Sequence, residues 1–199
     1  MISFSLPTFI KLCHLDDYQL LAEVDNKLNP KGKGHQFHRT LREAIYAHID
    51  GADTNEIDSI LNSPSREAEQ KYNKAAFSNF LKRFGSNKTL EKVDKTAIYP
   101  MPIHDIEISV KPWFSTLENG QLHLHVVWAT SKPDLAQRWA NLGCLVLSET
   151  FKISQYGNAK FCIMDLTKPK RFSDKTITDR TRIPLENVAA SIARCAKQV

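Results

Sequence analysis

The sequence predicts an α+β fold: a helical first half, then a small mixed sheet in the order β-β-β-α-β, then a C-terminal helix. Three observations carry that expectation. Apolar residues recur at helical spacing through the first 85 or so positions. From about residue 88 the period shortens to two, most clearly across residues 103–130. A further helical stripe then separates that region from one more strand, which allows a parallel pairing by a crossover.

The elements follow in order. Asp16-Asp17 opens a helix with Leu20, Leu21, Val24 and Leu28 on one face, and the loop Asn29–Gly34 ends it. Phe37, Leu41, Ile45 and Ile49 form the stripe of a second helix, with Gly51 just past its end. Asp53-Thr54-Asn55-Glu56 reads as a capping box that starts a short helix carrying Ile57, Ile60 and Leu61. Ser63-Pro64 reads as the start of the next, in which Tyr72, Ala76, Phe80 and Phe84 form an i,i+4 stripe widened by Phe77 and Leu81. Thr96–Tyr99 is a short strand bounded by prolines. Ser131 and Pro133 predict a helix start, with Leu135, Trp139, Leu142 and Val146 inward. Ala159–Leu166 is a strand, 168–182 an exposed basic loop, and Leu185–Lys197 a final helix burying Leu185, Val188, Ile192 and Cys195. The pattern divides into a helical part, 1–88, and a sheet part, 89–199, packed as one compact unit.

Between the prolines and Ser131 lie two alternating runs around Glu118-Asn119-Gly120, the signature of a β-hairpin. A two-residue turn at Asn119-Gly120 pairs positions whose numbers sum to 239, so even positions meet odd ones. That would set Val110 against the histidines and Lys111 against Trp128. A bulge or odd-numbered loop near Pro112-Trp113 repairs the mismatch and gathers Glu107, Ser109, Lys111, His123 and His125 on one polar face.

The 199 residues carry 27 Lys and Arg against 22 Asp and Glu, a net charge of +5. This mild basic excess fits an anionic partner. Cys13, Cys144, Cys162 and Cys195 are widely spaced, with no C-x-x-C pair, and read as small buried residues of a reducing compartment. The N-terminal stretch lacks a basic leader and a small-residue cleavage pattern. No apolar run approaches the roughly 20 residues of a membrane span. The expectation is a cytoplasmic protein with no membrane contact.

Four chemistries can be asked of these residues. His123-x-His125 places two imidazoles on one strand face, about 6.5–7 Å apart at the backbone. With Glu107 or Asp105 they could hold a divalent metal; the alternative is an ordinary solvated sheet face. The basic residues form two groups. Lys31, Lys33, His35, His38, Arg39 and Arg42 surround the start of the second helix, and Lys168, Lys170, Arg171, Lys175, Arg180 and Arg182 lie near the C-terminus. Both suit phosphate contacts, and Phe172 could stack a base. His35-x-x-His38 is a second possible metal pair. Nucleophile elbows, catalytic-cysteine signatures and Walker or dinucleotide loops do not occur in the sequence. Trp113-Phe114 places adjacent aromatics on opposite faces, so one of them can mark a partner surface.

The order helix, three strands, helix, strand over residues 65–166 resembles the core of the PD-(D/E)xK nuclease superfamily. That resemblance implies an acid on one strand and E-x-K on the next, holding a divalent metal. Asp105 or Glu107 could supply the first acid. Lys111 follows Glu107 by four residues rather than two, and the strand that should carry E-x-K reads Leu-His-Leu-His. The expectation is therefore a non-enzymatic binding or assembly protein without a cofactor, contacting another protein or a nucleic acid. The alternative is a divalent-metal-dependent nuclease or phosphodiesterase using Asp105, Glu107 and Lys111.

Overall fold

The computed structural model describes residues 1–30, 36–174 and 177–199. Its strands are β1 (Ile2–Ser5), β2 (Glu91–Lys92), β3 (Ala97–Met101), β4 (Ile106–Val110), β5 (Phe114–Glu118), β6 (Gln121–Trp128), β7 (Lys160–Asp165) and β8 (Lys170–Ser173). Its helices are α1 (Leu6–Leu12), α2 (Asp17–Leu28), α3 (Arg39–Ile49), α4 (Thr54–Asn62), α5 (Glu67–Phe84), α6 (Gln137–Phe151) and α7 (Arg182–Ala196). The α+β class is as expected. The strands, however, divide into two sheets, ordered β1-β4-β3 and β2-β5-β6-β7-β8.

Local signals explain several helix ends. Asp16 forms a complete capping box with Gln19, and Asp53 accepts from the Glu56 amide at 2.9 Å. Gly51, at φ +85°, turns the chain after α3. Two predicted starts move. Helix α5 begins at Glu67, because Ser63 instead ends α4, donating its hydroxyl to the Ile60 carbonyl at 2.8 Å. Helix α6 begins at Gln137, because the chain after β6 stays non-helical far enough to bury Leu135 in the core.

The stripe of α5 also rotates. Tyr72 is half exposed and Leu81 is exposed, while Asn73 is fully buried. Asn73 donates to the Phe37 carbonyl and to Thr40 Oγ1, both at 2.9 Å. It thereby ties the second turn of α5 to the start of α3, and a buried amide with both protons placed costs little.

The largest departure concerns the hairpin. The hairpin is β5–β6, closed by Asn119 and Gly120 at positive φ, and its pairs run from Glu118↔Gln121 to Phe114↔His125, each summing to 239. The run Ile106–Val110 is not part of it. That run is β4, the centre of the other sheet, parallel to β1 and antiparallel to β3. At Lys111-Pro112-Trp113 the chain passes between sheets, so the parity conflict disappears without a bulge. The break falls at a proline, which cannot donate to a ladder.

Both faces of the five-stranded sheet are covered. Leu124, Val126, Trp128, Phe161, Ile163 and Phe172 face one core, shared with α1, α2, α6 and α7. Phe114, Val127 and Met164 face a second core against α3, α4 and α5. Helix α6 carries the chain from β6 to a parallel β7, as expected. The first strand and helix were not anticipated: β1 pairs with β4, and α1 packs on α6. The predicted loop after Leu166 contains β8, antiparallel to β7.

Candidate nucleic-acid interface and the strand-face polar chain

Two groups of polar side chains stand out, one buried and one open. The buried group lies on the sheet face turned toward α5. His125 is fully buried, stacked on Phe114 at 4.7 Å and edge-on to Phe84 at 5.3 Å. Its Nε2 meets Thr116 Oγ1 at 3.0 Å, and Nδ1 has no partner among the described residues. Thr116 also donates to Glu118 Oε1 at 3.2 Å, and the Arg171 guanidinium donates to the same oxygen at 2.5 Å. His123 lies on the same face, its ring 6.4 Å from His125 and its Nδ1 3.7 Å from Cys162 Sγ.

Charge states follow from the surroundings. Burial holds His125 well below the ordinary histidine range, and the positive charge of Arg171 adds to the effect. Burial also lowers His123, against the opposing pull of Glu118. Burial would raise the Glu118 carboxyl, but the Arg171 hydrogen bond and charge outweigh it and leave Glu118 below its usual value. Burial pushes the Cys162 thiol up to about 12, so it is no nucleophile at neutral pH.

The predicted polar face therefore does not form. Glu107, Ser109 and Lys111 leave with β4, while His123 and His125 stay on β6. Asp105 caps the short 3₁₀ turn at Pro102–His104 with φ +54° and pairs with the Met1 amine at 3.3 Å. Glu107 is half-buried opposite Ser3 and Pro100. Among the described residues, no three His, Cys, Asp or Glu side chains gather closely enough to hold a metal ion. The acids considered for the nuclease reading, Asp105 and Glu107, thus do not meet the Leu-His-Leu-His strand, and the carboxylate on this face, Glu118, is held by Arg171 and Thr116.

The open group lines a cleft of about 460 Å³ where the two sheets and α3 meet. Ser5 and Ser109, paired across β1 and β4, form one wall. Beyond them come Lys11 from α1 and Lys111 from the sheet crossing. Opposite are His38, Arg39 and Arg42 at the start of α3, and Trp113 and Phe37 supply aromatic surface. The lining contains no carboxylate among the described residues. Three of the cations have partners outside it: Lys11 with Glu23 at 2.7 Å, Arg39 with Glu43 at 3.4 Å, and Lys111 with Asp94 at 3.0 Å. Each pair is partly or wholly solvent-exposed, so each constrains its cation weakly.

His38 is oriented from behind. Asn73 spends both amide protons on Phe37 and Thr40, so its Oδ1 can only accept, and it sits 3.1 Å from His38 Nδ1. His38 thus carries its proton on Nδ1 when neutral. Burial lowers its pKa despite the Asn73 bond and the Glu69 charge.

The sequence placed Lys111 in one group and Arg39 and Arg42 in another, and the fold brings the three to one cleft. Trp113 is the half-buried member of its pair, Phe114 the buried one. Lys11, Ser5 and Thr8 were not anticipated, because the pairing of β1 with β4 that delivers them leaves no local signal. Lys31, Lys33, His35 and Lys175 lie outside the described residues. The C-terminal basic group disperses. Arg171 joins Glu118, Lys168 pairs with Asp134 at 2.8 Å, and Arg182 pairs with Glu149. Lys170 covers the Phe172 ring at 4.4 Å, and Arg180 is exposed on a 3₁₀ turn. Phe172 is buried to 2 % exposure and cannot stack a base.

No family model and no curated protein matches the chain. Among solved structures it is similar to the crystal structure of SSO0001, with 10 % identity, 91 % of this chain and 83 % of that chain covered, and a TM-score of 0.32. A likeness at that score carries no argument. No helix among the described residues is long and apolar enough to cross a membrane.

Proposed function

We propose that this chain is a non-enzymatic binding protein whose partner is a nucleic acid held in the cleft between the sheets and α3. One observation carries the reading: Lys11, Arg39, Arg42 and Lys111 converge around Trp113 with no acid in the lining among the described residues. Cations suit phosphates, and an aromatic surface among them suits a base. Its volume falls within the roughly 300–1,000 Å³ of ligand sites. Glu107 stands in a different sheet from His123 and His125, with Asp105 on the turn just before it, which is why binding is preferred to metal-assisted cleavage.

The test is oligonucleotide binding by fluorescence anisotropy across a salt series. Four phosphate contacts give a slope of log K against log salt near −3, at about −0.7 per contact for a single strand. Arg42→Ala and Lys111→Ala should each flatten that slope by about 0.7. A chain that retains neither DNA nor RNA at low salt overturns the proposal and leaves a protein partner as the reading to pursue.

A further inference from the structure

The cleft does not end at α3. A second recess, also about 460 Å³, is lined by Thr40, Ser63, Ser65 and the buried Glu69, and it shares Gln36 and Arg39 with the first. The two adjoin at the Arg39 side chain, which is 61 % exposed and paired with Glu43 one turn on. Together they offer more room than one nucleotide needs. The character also changes: cationic and aromatic in the first recess, with hydroxyls and the buried Glu69 carboxylate in the second.

The aromatic surface belongs to the lining of the cleft. Trp113 is half-buried among the lining of the first recess. In a duplex the bases are stacked on one another and turned inward, so a recessed indole meets only sugar and phosphate. An unpaired base can leave the strand and lie on the ring. Resting on the nucleic-acid reading above, we infer that the ligand is a single-stranded nucleic acid of several nucleotides. One base stacks on Trp113, and the backbone runs along the cations of the first recess and leaves it past Arg39, clear of the Glu69 carboxylate.

Anisotropy titrations of the full chain with a labelled single-stranded 12-mer, the same strand annealed to its complement, and the mononucleotide test this. The single strand should bind at least tenfold tighter than the duplex and far tighter than the mononucleotide. Trp113→Ala should weaken the single strand about tenfold and leave the duplex unchanged, while Trp113→Phe retains most of the affinity. Arg39→Ala sits on an exposed helix turn and does not endanger folding. It should weaken the 12-mer more than a dinucleotide. Equal binding of duplex and single strand, or a 12-mer no tighter than a dinucleotide, overturns the inference while nucleic-acid binding stands. Binding to none of the three overturns both.

Discussion

The imidazole of His125 lies face to face with the ring of Phe114 across the β5–β6 pair, centroids 4.7 Å apart and planes 13° from parallel. Among the described residues it behaves as a flat core side chain with one hydrogen bond, to Thr116, and one buried nitrogen left unpartnered. Such a nitrogen costs about 1–3 kcal/mol. His125→Leu removes it, and Thr116 keeps its bond to Glu118. The variant should therefore be within about 1 kcal/mol of the parent or more stable. His125→Lys buries an unpaired charge and should cost at least about 3 kcal/mol. Urea denaturation measures both. A loss of more than about 2 kcal/mol in His125→Leu would show that the imidazole has a polar role beyond Thr116.

The same residue makes stability acid-sensitive. Unfolded, His125 titrates near 6.5; folded, its pKa lies well below that. Below pH 6.5 the unfolded chain takes up a proton that the native chain refuses. The His125 contribution is therefore complete above pH 6.5 and shrinks as pH falls toward the folded value. The slope approaches about 1.4 kcal/mol per pH unit. His14, His38 and His123 are lowered in the same direction and add to it, less strongly because each keeps some solvent contact. Midpoints of urea unfolding between pH 7.5 and 5 should fall steadily, and more shallowly in His125→Leu. A flat profile in the parent would contradict the burial of these rings.

Gly120 has φ +76° and Asn119 φ +51°, and a Cβ built on Gly120 meets nothing within 4 Å. Only backbone strain opposes a side chain there. Gly120→Ala should destabilise by about 1 kcal/mol, the cost of holding an L-residue left-handed. Asn119→Gly should be close to neutral. Thermal melts of the two variants decide the point, and an unchanged melt for Gly120→Ala would argue against this turn geometry.

That turn also shows how far the sequence could be read. Period and turn chemistry are local, so the Asn119-Gly120 turn and the caps at Asp16 and Asp53 are visible in it, while the turn's two-residue register reads as a parity conflict as long as Ile106–Val110 stands for the partner strand. Sheet membership is not local. Ile106–Val110 and Phe114–Glu118 alternate alike, and nothing within either run says that one pairs with residues 2–5 and the other with 121–125. The cleft was invisible for the same reason, since Lys11, Arg42 and Lys111 meet only after β1 finds β4. His123 and His125 looked like the polar half of a half-exposed sheet because α5 covers that face with Phe80 and Phe84, residues some 40 positions earlier.

The seam between α6 and the sheet gives the last prediction. A Cβ on Gly143 would lie 2.7 Å from Ile10 Cδ1 and 3.2 Å from Ile163 Cδ1. Alanine is favoured over glycine inside a helix by about 1 kcal/mol, but overpacking a filled core costs about 1–3 kcal/mol. The first contact is too close to survive, and Ile10 is fully buried, so its terminal methyl has little room to swing away. Gly143→Ala should therefore destabilise by about 1 kcal/mol net. Ile10→Val deletes the offending Cδ1 and alone costs about 0.5–1.5 kcal/mol through the small cavity it leaves. Combined, the alanine methyl occupies that space and the helix keeps its propensity gain. The double variant should then be more stable than Ile10→Val, with a favourable coupling of about 1–2 kcal/mol in the mutant cycle. Purely additive energies would mean that α6 shifts on the sheet to admit the methyl, and that the approach of Gly143 to Ile10 is not what sets the spacing of this seam.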